Sequence, residues 1–306
     1  PGRGVNPRHE PPLLVLVQPA VETHETRNHD RESSRQRSIR CEVGARLSTS
    51  RTTAIVLAGF LAWTMPTPVS RWGCWARGYV TASGGRILRA AERLARDHRP
   101  GIEVTTELVA DSTAKALREQ SRRAFELVVG PRGLGGFAGL MLGSTGLRTA
   151  AHAAGPVVVV RGDSDTVHGE IVVGLGLVAD PDVALGYAFE AAAAREARVR
   201  VLHAWRLGDA ITDLRQQVDV KAVEEKLHRR ILGAHARWRK AHPGVEVVEE
   251  VLREHAVVAL TDASREADLV VVGAHDHDWF EVPRLGTVSH GVIHHAHCPV
   301  AVARTR

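Results

Sequence analysis

The sequence predicts an α/β fold built twice within one chain, with parallel strands covered by helices on both faces. Three observations predict it. The length of 306 residues corresponds to roughly two domains at about 150 residues each. Segments recur at a constant offset of 143 residues (243 less 100), beginning with Pro100-Gly101-Ile102-Glu103-Val104 and Pro243-Gly244-Val245-Glu246-Val247. Short β-type runs alternate with helical patterns, the signature of a parallel sheet with crossover helices. The same offset matches Ser121-Arg122 to Ser264-Arg265, Val128-Val129-Gly130 to Val271-Val272-Gly273, and Leu142-Gly143 to Leu285-Gly286. It also matches His152-Ala153 to His295-Ala296 and Pro156-Val157 to Pro299-Val300. So long a period excludes a solenoid and implies a duplicated domain. Expected boundaries are a divergent or disordered segment 1–50, a first domain 51–162 and a second domain 168–306, with Gly162-Asp163-Ser164-Asp165 as linker.

The second copy shows its elements most clearly. Ile171-Val172-Val173 is a buried-type strand, and Pro181 to Ala197 a helix with proline in its first turn. Val199 to Trp205 is a second strand. A long helix follows, because Val220, Val223, Leu227, Ile231, Ala234 and Trp238 fall on one face at spacings of three and four. Val245–Leu252 is a third strand, His255–Arg265 a helix and Leu269–Val272 a fourth strand. A helix over Gly286–His297 and a strand over Pro299–Ala303 complete the copy. In such sheets ligands bind beyond the carboxyl ends of the strands where strand order reverses, here the loops after the first and fourth strands.

The first copy is harder to read. Residues 28–33, at the offset of the first strand, are Asn-His-Asp-Arg-Glu-Ser and cannot form a buried strand. Leu13–Val17 is strand-like, and Phe60-Leu61-Ala62-Trp63 lies near the register of Leu202–Trp205. Residues 18–50 are polar, without a helical apolar stripe. Real divergence and an incorrect start or reading frame both stay open, the more so because the chain begins with proline.

Composition narrows the class of function. Hydrophobic residues make up 44% and charged residues 25%, the balance of a globular protein. Net charge is +5, but the basic residues interleave with acids rather than forming one stripe, so no specific nucleic-acid partner is expected. The longest apolar run, Ala54 to Trp63, is half the roughly 20 residues a bilayer crossing needs, so no membrane partner is expected. Three cysteines cannot build a disulfide framework, which points to a reducing, cytoplasmic setting.

The fourth-strand loop of the first copy carries the chemistry. Leu127-Val128-Val129 runs into a segment with five glycines from Gly130 to Gly139, then Gly143-Ser144-Thr145 opens a helix. Glycines let the backbone approach a ligand, and the free N–H groups of a helix start suit phosphate. The Ser144 hydroxyl either donates to the same oxygen or caps the helix. The spacing glycine, two residues, glycine, nine residues, glycine-serine resembles the universal stress protein family. His203-Ala204-Trp205 and His294-His295-Ala296-His297-Cys298-Pro299-Val300 add to the resemblance, which covers roughly residues 85–306.

Likeness to tandem members of that family implies two Rossmann-like domains of the adenine nucleotide alpha hydrolase type, each a five-stranded parallel sheet with helices on both faces. It implies a non-enzymatic stress-response protein that binds ATP or a related adenine nucleotide. Gly130, Arg132, Gly133, Gly143, Ser144 and Thr145 are its candidate site, with no metal beyond nucleotide-bound Mg. It also implies edge pairing of last strands, Val157–Val160 and Val300–Ala303, in a pseudo-dimer of the two copies or a homodimer.

Departures fall mainly in the second copy. Gly176 stands where ATP-binding relatives carry an aspartate against adenine, and Asp276 replaces the second loop glycine. A carboxylate at contact distance repels phosphate by about 1–4 kcal/mol, so this copy is expected to be degenerate toward ATP. Two dinucleotide-type fingerprints exist, at Gly133-x-Gly135-x-x-Ala138 and Gly174-x-Gly176-x-x-Ala179. The second is followed by a strand ending in Trp205-Arg206, with no acid for a ribose hydroxyl. Ser83-Gly84-Gly85 lacks the aspartate-serine that a pyrophosphatase-type loop would need. His275-Asp276-His277-Asp278, with the histidines at 290–297, offers metal-ligand chemistry but reads as a solvated loop. Cys298 reads as a small buried residue with no activating base. No nucleophile, base and orienting group assemble. Two alternatives stay open: a scaffold that binds no nucleotide, and slow ATP hydrolysis.

Overall fold

A computed structural model of the chain describes residues 13–17, 55–59, 85–86, 88–97, 100–101, 103–107, 109, 113–130, 144–161, 166–177, 180–206, 219–274 and 285–305. In the first copy the strands are β1 (Leu13–Val17), β2 (Ile55–Gly59), β3 (Thr105–Glu107), β4 (Leu127–Val129) and β5 (Val157–Val159). Its helices are α1 (88–97), α2 (Thr113–Ser121) and α3 (Ser144–His152). The second copy contributes β6 (Glu170–Gly174), β7 (Arg198–Ala204), β8 (Val247–Leu252), β9 (Leu269–Gly273) and β10 (Val300–Ala303). Between them lie α4 (Asp182–Ala193), α5 (Val220–Ala241), α6 (Ala256–Ala263) and α7 (Thr287–His295).

The second copy folds as expected, and its boundaries have local causes. Pro181 caps α4 rather than entering it. The Asp219 carboxylate accepts from the amides of Lys221 and Ala222 to start α5. His255 caps α6 through Nδ1, which accepts from the Val257 amide. Five parallel strands follow the order β10-β9-β6-β7-β8, so the switch point lies between β9 and β6.

This sheet extends into the first copy. β10 pairs antiparallel with β5, Val300 opposite Val159 and Val302 opposite Val157, and β5 pairs parallel with β4. The two candidate edge strands thus join each other within one chain, giving a seven-stranded sheet. Alternate residues point to opposite faces. Val158, Ile171, Val173, Val271 and Ala301 pack on one side with α4 and Leu88 of α1. Val157, Val159, Val172, Val270, Val300 and Val302 pack on the other with α6 and α7.

The five-stranded parallel sheet is complete in the second copy, whereas the first copy's described strands divide. Only β4 and β5 enter the large sheet; β1 pairs antiparallel with both β2 and β3 in a separate three-stranded sheet. Parallel neighbours need a crossover, usually a helix, and residues 18–54 carry no apolar helical stripe. The segment 1–50 lies outside the described residues except for β1, and so does Phe60–Trp63.

The duplication is visible in hydrogen bonds as well as in letters. Ser121 Oγ donates to the Arg118 carbonyl (2.7 Å) and accepts from the Ala154 amide (2.8 Å). At 143 residues on, Ser264 Oγ donates to the Thr261 carbonyl and accepts from the His297 amide (2.8 Å). Each serine ties the end of one helix to the turn before the last strand.

Candidate functional site

The crevice predicted at the switch point exists in the second copy. A cavity of about 640 Å³ opens where the chain leaves β6 and β9. The sheet supplies Leu202 and Val272, α6 supplies Leu260, and α5 adds Val223, Leu227 and Arg230. The end of β7 contributes His203, Trp205 and Arg206. On the far side stand Gly273 and the first turn of α7, Gly286 to Ser289.

Arg230, Ser289 and His203 are each held there by a backbone carbonyl. Arg230 Nη2 donates to the Leu177 carbonyl (2.8 Å), fixing the loop after β6 against α5. Buried Ser289 donates from Oγ to the Gly273 carbonyl (2.7 Å), fixing the start of α7 to the end of β9. Gly286 caps α7 without a side-chain hydrogen bond, and Gly286 to Ser289 line the crevice. His203 Nδ1 lies 2.8 Å from the Leu175 carbonyl, and a carbonyl only accepts, so Nδ1 carries the proton. Burial lowers the His203 pKa below its ordinary value of 6.5; Arg230 lowers it further and the Leu175 carbonyl opposes. The ring is therefore neutral near pH 7, with Nε2 left as an acceptor on a cleft-lining residue.

Two glycines at the mouth differ in what holds them. A Cβ on Gly174 would meet Leu260 Cδ1 at 2.8 Å, so close packing keeps glycine there. A Cβ on Gly176 would meet nothing within 4 Å. The position thus has room for a Cβ.

In the first copy, the loop's two flanks lie as its sequence suggests. Gly130 directly follows buried β4, and Ser144 and Thr145 are the first residues of α3. Arg132, Gly133 and Gly143 lie outside the described residues, as does His275–Asp278. Among the described residues β4 is an edge strand of the large sheet, without the parallel first strand that β6 provides beside β9.

Ser289 gives its hydroxyl proton to a backbone carbonyl. Burial pushes the Cys298 thiol up to about 12, which removes it as a nucleophile. The His290 and His294 rings on α7 lie with centroids 4.6 Å apart and planes tilted by 51°, yet among the described residues no group of three or more His, Cys, Asp or Glu side chains could hold a metal ion. Among the described residues, no helix is long and apolar enough to cross a membrane.

Two arginines outside any motif join the copies. Arg161 and Arg304 reach across the seam between copies, and the signal that could have found them was present: 304 less 161 is again 143. In sequence His203 stands only within a family-like tripeptide, and the structure places it at the end of β7 in the lining of the switch-point crevice.

The chain matches the family model described as the universal stress protein family twice, over residues 76–161 and 169–304. A universal stress protein of Mycolicibacterium smegmatis is 34% identical over 220 residues, 71% of this chain and 73% of that protein. One of Mycobacterium tuberculosis is 30% identical over 258 residues, 82% of this chain and 85% of that protein. Among solved structures, a universal stress protein from Archaeoglobus fulgidus superposes with a TM-score of 0.54 at 17% identity, covering 78% of this chain and 82% of that one.

Proposed function

As the chain belongs to the universal stress protein family and carries its domain in tandem, we propose that it is a non-enzymatic regulatory protein of the stress response that binds adenine nucleotide. By loop chemistry its site is the first copy, with Gly130, Arg132, Gly133, Gly143, Ser144 and Thr145 around the phosphates. What supports this assignment is the frame: a buried strand ending at Gly130 and a helix starting at Ser144, joined by the glycine-rich segment. A Cβ on Gly130 would meet nothing within 4 Å, which leaves space beside the strand end. The backbone N–H groups of Ser144 and Thr145 belong to the unpaired first turn of α3 and would donate to phosphate oxygens. Magnesium would arrive with the nucleotide.

The second-copy cavity supports a second reading, in which that cleft takes a base-sized ligand without a long phosphate chain. His203 Nε2 would accept from an exocyclic amine, and Leu202, Leu260 and Val272 would cover the ring. Asp276 would oppose a triphosphate but leave adenosine or AMP tolerated.

Equilibrium dialysis of ATP and AMP against the full chain and Gly133→Asp tests both. ATP retention that falls in the variant supports the first-copy loop, and AMP retention that persists in it supports the second-copy cleft. Equal ATP binding by both proteins removes the first loop. No binding of either nucleotide leaves a scaffold that works through protein contacts.

A further inference from the structure

The two copies hold each other by the tails of their last helices. Arg161, just beyond β5, donates from Nε to the Ala296 carbonyl (3.1 Å) and from Nη1 to the Ile293 carbonyl (2.8 Å). Arg304, just beyond β10, donates from Nη1 to the carbonyls of Ala151 (3.1 Å) and Ala153 (2.9 Å) and from Nη2 to Ala150 (2.6 Å). Ile293 and Ala296 correspond to Ala150 and Ala153 at the 143-residue offset, so the acceptors repeat as well as the donors. The last carbonyls of a helix have no partner within it and carry the negative end of its dipole, and a guanidinium supplies both the donors and the charge they need. Both arginines are half-buried.

We propose that Arg161 and Arg304 form a reciprocal clamp across the copies, in which each arginine positions the last helix of the other copy. The connection is short. Arg304 follows β10 directly, and β10 pairs with β9, whose end forms the second-copy cleft. The helix that Arg304 grips, α3, begins at Ser144 and Thr145. A nine-residue helix moves as one body, so a hand on its tail sets the aim of its first-turn N–H groups. The start of α3 is thereby positioned from the second copy, and any effect of second-copy occupancy on first-copy affinity is returned in equal measure, as linkage requires. The coupling to occupancy rests on the first-copy reading above; the clamp itself does not.

The test uses the full chain with Arg304→Ala, Arg304→Lys and Arg161→Ala, reading amide hydrogen exchange by helix and ATP retention by dialysis. Arg304→Ala is expected to speed exchange of α3 amides at least about fivefold while leaving α7 unchanged, and Arg161→Ala to do the reverse. Arg304→Ala should also weaken ATP binding about five- to tenfold, the lower end of typical coupling, with Arg304→Lys intermediate and Arg161→Ala near wild type. Exchange that rises equally in both helices in either variant, or in neither, overturns the clamp. Unchanged ATP affinity in Arg304→Ala overturns the coupling. If the wild type retains no ATP, the nucleotide reading has failed on its own, and the exchange pattern alone decides the clamp.

Discussion

Replacing Ser121 or Ser264 by alanine measures the duplication in energy. Both side chains are 1% exposed, and each makes one donated and one accepted hydrogen bond to backbone. Alanine removes the acceptor of the Ala154 or His297 amide and the donor to the Arg118 or Thr261 carbonyl. A buried amide left without a partner costs about 1–3 kcal/mol. His297 is exposed, so water can replace part of what its amide loses, and Ala154 is half-buried. Ser264→Ala should therefore fall near the lower end of that range and Ser121→Ala near the upper. The two brackets share no partner, so the double variant should lose the sum. Urea unfolding followed by circular dichroism, with unchanged m-values, provides the free energies. In thermal scans each kcal/mol should appear as about 2–4 °C, the sensitivity of domains of 150–250 residues. A loss below about 0.5 kcal/mol at either serine would refute the view that the repeated letters mark a repeated structural joint.

Further expectations concern packing, affinity and pH. A Cβ on Gly186 would meet Trp238 at 2.6 Å where α4 crosses α5, so Gly186→Ala should cost about 1–3 kcal/mol by overpacking, read from the urea midpoint. Gly176→Asp has open space, and a carboxylate there should raise adenine-nucleotide affinity of the second copy about tenfold or more through a charge-assisted hydrogen bond. Calorimetric titration showing no gain would remove the adenine register assigned to that position. Burial lowers the pKa of His203 and His294, so between those lowered values and 6.5 the unfolded chain binds more protons than the folded one. Their contribution to stability is full above pH 6.5 and is lost as pH falls through the lowered values, which unfolding midpoints at pH 7 and pH 5 would show.

Legibility followed from how locally each feature is encoded. The second copy's strands are continuous apolar runs because both sheet faces are covered, and its helices begin at residues that cap or stiffen them, Pro181, Asp219 and His255. The shift of α4 to start at Asp182 and end at Ala193, rather than run from Pro181 to Ala197, lies in cap geometry that periodicity does not see. Pairing of β5 with β10 is what the family resemblance implies for Val157–Val160 and Val300–Ala303, and the two strands pair within one chain. The antiparallel sheet of β1, β2 and β3 was not legible, because strand partners far apart in sequence leave no periodic trace. Ala54–Trp63 looked like an isolated apolar run, yet Ile55–Gly59 within it pairs with Leu13–Val17. At the site, glycine spacing pointed to phosphate chemistry. The neutral state of His203 and the grip of Arg304 depend on contacts 28 and 151–154 residues away in sequence.

The most direct test of nucleotide binding at the first copy is a crystal structure of the full chain grown with a non-hydrolysable ATP analogue. Phosphate oxygens about 3 Å from the Ser144 and Thr145 amides, within the glycine loop after Gly130, are the predicted result. Analogue density confined to the cleft beside His203, or absent from both copies, would contradict it.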